Sequence, residues 1–207
     1  MLIDKRERRT TVELSDGRTV APMTERGKWL LRFSLADVEC ANAEWRCNCG
    51  PAALAAICGL TLDEVRALFG PNWPGYTNPT AMFAALRASG ATHHELRRTS
   101  ASEQLWPHWG LCRIQWDGPW MARNVPAVAR YQRTHWVGVS RLILQDGTVS
   151  APNVCIWDVN QLGPPLNGDG WAPLAWWRSR VVPRLTSEVR RATGGWHITH
   201  AIEVERT

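Results

Sequence analysis

The chain has no apolar run near the roughly 18 residues a membrane span requires, and residues 1–30 hold no apolar segment of secretion-signal length. It is therefore expected to be made in the cytoplasm, with no signal peptide and no membrane span. Repeats and low-complexity linkers are missing too, which favours one domain. The six cysteines (Cys40, Cys47, Cys49, Cys58, Cys112, Cys155) lack metal-site spacing: Cys47 and Cys49 have no second pair to complete a zinc site, and one intervening residue is too few for a Cys-x-x-Cys redox motif. Without a secretion signal they read as free thiols, and no metal or cofactor is expected. No nucleic-acid-binding motif is present, and the basic residues are scattered apart from "DKRERR" (4–9) and "RSRVVPR" (178–184), so nucleic acid is not the expected partner. The net charge of +5 and pI of about 9.1 still suit an anionic partner such as a cell envelope. Phenylalanine (3) and tyrosine (2) are scarce, whereas tryptophan (13) supplies most of the aromatic surface for the core and for any groove.

A chain of 207 residues fits one domain with an appended segment. "TVELSDGRTVAP" (11–22) alternates around Asp16-Gly17, a hairpin signal, and residues 1–35 read as an N-terminal β-hairpin extension to a domain spanning 36–207. After a loop through "CANAEWRCNC", Pro51 and Gly59 bracket a helix that places Cys49 at or next to its N-cap. Thr61 and Glu64 form a capping-box pattern for a second helix ending at Gly70. Asn78, Pro79 and Gly90 mark a third. Short β-branched segments follow at 125–131, 135–144 and 154–160. A Gly/Pro/Asn-rich loop (160–170), a short amphipathic helix in "WAPLAWWRSRVV" and a last strand at 196–205 complete an α+β domain with helices before sheet.

A helix N-terminus stabilises a thiolate, and a nucleophilic thiol needs a base that is itself oriented by a third group. If Asp146-Gly147 is a two-residue hairpin turn, paired residues sum to 293 and His135 falls opposite Asp158, within hydrogen-bonding reach. A one-residue slip, which Pro152 could cause, would turn Asp158 to the other face and leave Asn153 or Asn160 to orient the imidazole. Of the remaining histidines, His93 and His94 follow a helix stop, His108 lies in a loop, and His197 and His200 fall on opposite faces of the last strand by parity.

"NCGPAALAAICG", "TNPTAMFAALRASG", "VPAVARYQRTHWVGVS" and "CIWDVN", in that order over about residues 36–160, resemble the papain-like cysteine peptidases, specifically the bacteriocin-processing peptidases and their stand-alone relatives. The resemblance implies a nucleophile helix packed on a C-terminal antiparallel sheet, with Cys49 as nucleophile, His135 as general base and Asp158 as orienting acid. It also implies an oxyanion-hole glutamine five or six residues before the cysteine, where this chain has Glu44 and Ala43; Asn42, seven before, is the candidate replacement. The expected activity is hydrolysis of a peptide amide through an acyl-enzyme. The alternatives are a peptidoglycan peptidase or amidase, carried in a phage particle or freed by lysis, and a non-catalytic module docking a protein through the Trp-rich segment 171–184.

Overall fold

The computed structural model describes residues 12–13, 19–20, 31–97, 105–131, 133–141, 154–163 and 168–205. Strand β1 (Val12–Glu13) pairs antiparallel with β2 (Thr19–Val20), with Val12 opposite Val20. This register is one residue off that of a two-residue Asp16-Gly17 turn, and the turn itself lies outside the described residues. Of the expected extension at 1–35, residues 31–35 adjoin the main domain. Phe33 belongs to the main core, where it meets Trp157 edge-on at 5.8 Å, and Leu31 packs against that core.

Helix α1 (Leu35–Trp45) occupies what the sequence suggested was a loop. Only Val38 and Ala41 are buried along it, too sparse a stripe to show as helical periodicity. Its ends define it instead: Ser34 and Asp37 cap each other, the Ser34 N–H donating to Asp37 Oδ2 at 2.7 Å, and Arg46 closes the helix in the left-handed region at φ 62°. Helix α2 (Cys49–Cys58) starts at Asn48, whose side chain accepts the Gly50 N–H at 3.2 Å, and stops at Gly59 with φ 64°. Every residue from Gly50 to Ile57 is buried, so α2 is the central helix. Helices α3 (Leu62–Phe69) and α4 (Pro79–Ala88) carry the Thr61/Glu64 capping box and the Asn78 cap with Pro79 at the first position, as the sequence predicts.

The main sheet is antiparallel throughout, in the order β3-β8-β4-β5-β6-β7, from β3 (His93–Glu95), β4 (Trp109–Trp116), β5 (Thr134–Arg141), β6 (Val154–Gly163), β7 (Gly168–Pro173) and β8 (Trp196–Val204). Sequence reading missed β4: all eight of its residues are buried between β8 and β5, so no alternation survives. The expected strand at 125–131 is instead the short helix α5 (Ala127–Arg130), started by Pro126, whose carbonyl accepts the Ala129 and Arg130 amides. Of the expected loop at 160–170, residues 160–163 end β6 and 168–170 begin its partner β7, and residues 164–167 lie outside the described residues. The helix expected from 171 begins after Pro173 and runs as α6 (Leu174–Trp176), a π-helical turn (Trp177–Val181) and α7 (Val182–Glu188).

One core joins α1–α4 to one sheet face through Leu111, Trp136, Trp157 and Ile202. A second, on the opposite face, joins Cys112, Val137 and Ile156 to Trp177, Val181 and Leu185. The sheet is thus the middle layer of three.

Two register expectations change. β5 and β6 pair with residues summing to 295 (Gly138 with Trp157, Arg141 with Val154), not 293. A two-residue shift preserves side-chain parity, so His135 and Asp158 still share a face, as diagonal rather than direct neighbours. In β8 a register shift pairs His200 with Arg113 but Ile198 with Ile114 and His197 with Gln115. The irregularity at Thr199 puts His197 and His200 on one face, correcting the parity expectation.

Candidate active site

Cys49 is the first residue of α2, where unpaired backbone N–H groups and the helix dipole favour an anion. Its Sγ accepts the Trp136 amide N–H at 3.5 Å. His135 lies close enough to the same thiol for their charges to interact, and its Nε2 hydrogen-bonds Asp158 Oδ2 at 3.0 Å, which leaves Nδ1 as the free ring nitrogen. Trp116 stacks on the imidazole, ring centres 6.2 Å apart and planes inclined by 25°.

Asp158 is fully buried, and its carboxylate is surrounded by donors. Oδ2 accepts from His135 and from the Trp177 indole N–H at 2.8 Å; Oδ1 accepts the Asn160 backbone and side-chain N–H groups, each at 2.9 Å. Burial alone would raise its pKa, but the imidazolium, the Trp177 indole and the Asn160 amide together hold it below the ordinary value. For His135, burial disfavours the cation, and the Asp158 carboxylate and Cys49 thiolate outweigh this, so its pKa lies well above the usual histidine range. At Cys49 burial opposes the thiolate, and the His135 charge and hydrogen bond with the Trp136 amide reverse that, leaving the thiol more acidic than usual. These shifts favour a thiolate–imidazolium pair near neutral pH. The other shifted thiols move the opposite way through burial: Cys47 to about 12, Cys58 to about 11, and Cys112 and Cys155 also upward.

The thiol and imidazole open onto a cleft of ≈ 510 Å³ between α1 and the end of α7, also lined by Asn42, Asn48, Asn160 and Leu185. Cys49, His135 and Asn42 therefore meet at one cavity, and Asp158 lies directly behind His135. Asn42 reaches it from α1, not from the longer loop the sequence suggested. Sequence reasoning did not find Trp177 or Trp116. Trp177 lies 19 residues from Asp158 in a helical segment, and the only general signal is that a buried carboxylate must collect donors. The Trp-rich segment 171–184 mainly serves the interior: Trp177 is buried and Trp171 half-buried, leaving Trp176 as its exposed indole. Among the described residues no group of three His, Cys, Asp or Glu is placed to hold a metal ion, and no helix is long and apolar enough to cross a membrane. No protein-family model matches the chain, and no significant match was found among curated proteins or solved structures.

Proposed function

We propose that the chain is a papain-like thiol hydrolase that cleaves a peptide amide through an acyl-enzyme. The observation that carries this reading is Cys49 at a helix N-terminus in an open cleft, beside a His135 whose Nε2 hydrogen-bonds the fully buried Asp158. In the proposed reaction the Cys49 thiolate attacks the substrate carbonyl carbon. The developing oxyanion is held by the Cys49 backbone N–H and the Asn42 side-chain amide. As the C–N bond breaks, His135 gives its Nδ1 proton to the leaving amine, and a thioester remains on Cys49. His135, now neutral, takes a proton from water; the hydroxide attacks the thioester, releases the carboxylic acid and restores the thiolate. Asp158, fixed by Trp177 and Asn160, holds the imidazole orientation and stabilises its cation.

The test is a burst assay with p-nitrophenyl acetate. The expected result is rapid release of one equivalent of p-nitrophenol, with the acetyl group on Cys49 by mass spectrometry, lost in Cys49→Ala and slowed in His135→Ala. Absence of a burst, or acetylation spread over other residues, would refute the reading.

A further inference from the structure

Beside the same thiol, on the sheet face that carries α1–α4, lies a polar floor the triad does not use. Arg113 is flanked by Trp136 on β5 and His200 on β8; two residues on, Gln115 is flanked by Thr134 and His197. Directly opposed residues share a face, so the six side chains form two adjacent rows. Trp136 ties this floor to the reacting sulfur. Its amide meets Cys49, and its indole N–H donates to the Thr77 carbonyl at 2.8 Å. Thr77 in turn abuts Gly50, next to Cys49, so closely that a Cβ there would collide with its side chain.

Three side chains here are more than nine-tenths buried yet carry polar atoms with no partner among the described residues: Arg113 Nε, Gln115 Oε1 and Thr77 Oγ1. Arg113 donates from one terminal nitrogen to the Tyr131 carbonyl at 2.9 Å and faces no carboxylate among the described residues. Its charge and that of the Cys49 thiolate are close enough to interact. A buried guanidinium without a hydrogen-bonded anion is costly, and buried orphan polar atoms call for a partner. An N–H acceptor, Gln115 Oε1, beside that cation suits an amino-acid unit, which offers both a carboxylate and an amide N–H, better than a phosphate, which offers only acceptors.

We propose that this floor is a subsite for a carboxylate carried by the substrate beside the reacting amide, with Arg113 as its cation, the Thr77 hydroxyl as a second donor, and Gln115 Oε1 accepting a neighbouring substrate N–H. The proposal rests on the thiol-hydrolase reading and narrows its substrates to peptides or amides bearing a carboxylate next to the scissile bond.

The test is a titration of the full chain carrying Cys49→Ser, followed by NMR of the tryptophan indole N–H signals, with N-acetylglycine and the neutral N-acetylglycinamide as probes. The expected result is movement of the Trp136 indole signal and binding of the carboxylate roughly tenfold or more tighter than the amide, as a charge-assisted hydrogen bond provides. That preference should vanish in Arg113→Gln and partly survive in Arg113→Lys. Equal binding of the two probes, or none, would mean that water fills the floor and would overturn the proposal. If Arg113→Gln does not fold, the comparison of the two probes on the Arg113 protein decides alone. Since Cys49→Ser reports binding without chemistry, a negative titration leaves the hydrolase reading standing, whereas an inert Cys49 in the native chain refutes that reading without touching the titration.

Discussion

Replacing Trp177 by phenylalanine keeps a ring in the second core but removes the indole N–H that meets Asp158 Oδ2 at 2.8 Å. The partner is a fully buried carboxylate, so the lost bond is one to a charged group, about 1.5–3 kcal/mol. The smaller ring adds a cavity cost of about 1 kcal/mol. Together these give a destabilisation of about 3 kcal/mol, read as a lower urea midpoint with unchanged slope and a melting temperature lower by roughly 6–12 °C for a domain of this size. A second, chemical effect separates this role from plain packing. With one of its four donors gone, Asp158 holds its charge less firmly, the His135 pKa falls, and the Cys49 pKa rises with it. Iodoacetamide alkylation of Cys49 near pH 6 should slow several-fold while the rate at pH 10 stays unchanged. A Trp177→Phe protein that loses under about 1 kcal/mol by urea unfolding, or whose Cys49 pH profile is unmoved, would show that the indole only fills space.

Asn42→Ala should lower the hydrolysis rate by a factor of about 10²–10³ with little change in Cys49 alkylation, since the side chain is proposed to act on the oxyanion and not on the thiol; equal loss in both assays would place its role elsewhere. Gly50→Ala puts a Cβ into Thr77 at the first turn of α2, so a stability loss of about 1–3 kcal/mol and slower Cys49 alkylation are expected, measured by urea unfolding and mass spectrometry. The pH dependence of stability follows from the signs of the shifts. Asp158, held below its ordinary value, contributes stability above about pH 4 that is lost as pH falls through its folded pKa. His135, held well above its ordinary value, contributes stability below about pH 6.5 that is lost as pH rises through its folded pKa. Urea midpoints across pH in the wild type and in His135→Gln check this, since the alkaline loss should be absent from the variant.

The helices of the first half were legible because their ends carry local chemistry: Pro51 with Gly59, Thr61 with Glu64, and Asn78 with Pro79. Helix α1 has equally good caps in Ser34 and Asp37, but its buried face holds only Val38 and Ala41, so no apolar periodicity marks it. β4 was lost for the opposite reason: burial on both faces, with Arg113 and Gln115 inside, leaves a string that alternates in neither polarity nor size. The shared face of His135 and Asp158 survived because the register expected from Asp146-Gly147, a turn outside the described residues, was off by two, an even number. Trp177, Trp116 and the Arg113 floor depend on which strands and helices meet in space. Sequence spacing carries no record of those contacts.

The most direct measurement is the pH dependence of alkylation at each cysteine, read by mass spectrometry in the native chain and in His135→Ala. Cys49 is expected to react fastest, with an apparent pKa below the free-thiol value of about 8.5 that rises when His135 is removed, while Cys47 and Cys58 stay unreactive until strongly alkaline pH. A Cys49 that titrates like Cys58, or whose profile ignores the loss of His135, would contradict the thiolate–imidazolium pair on which the proposed function stands.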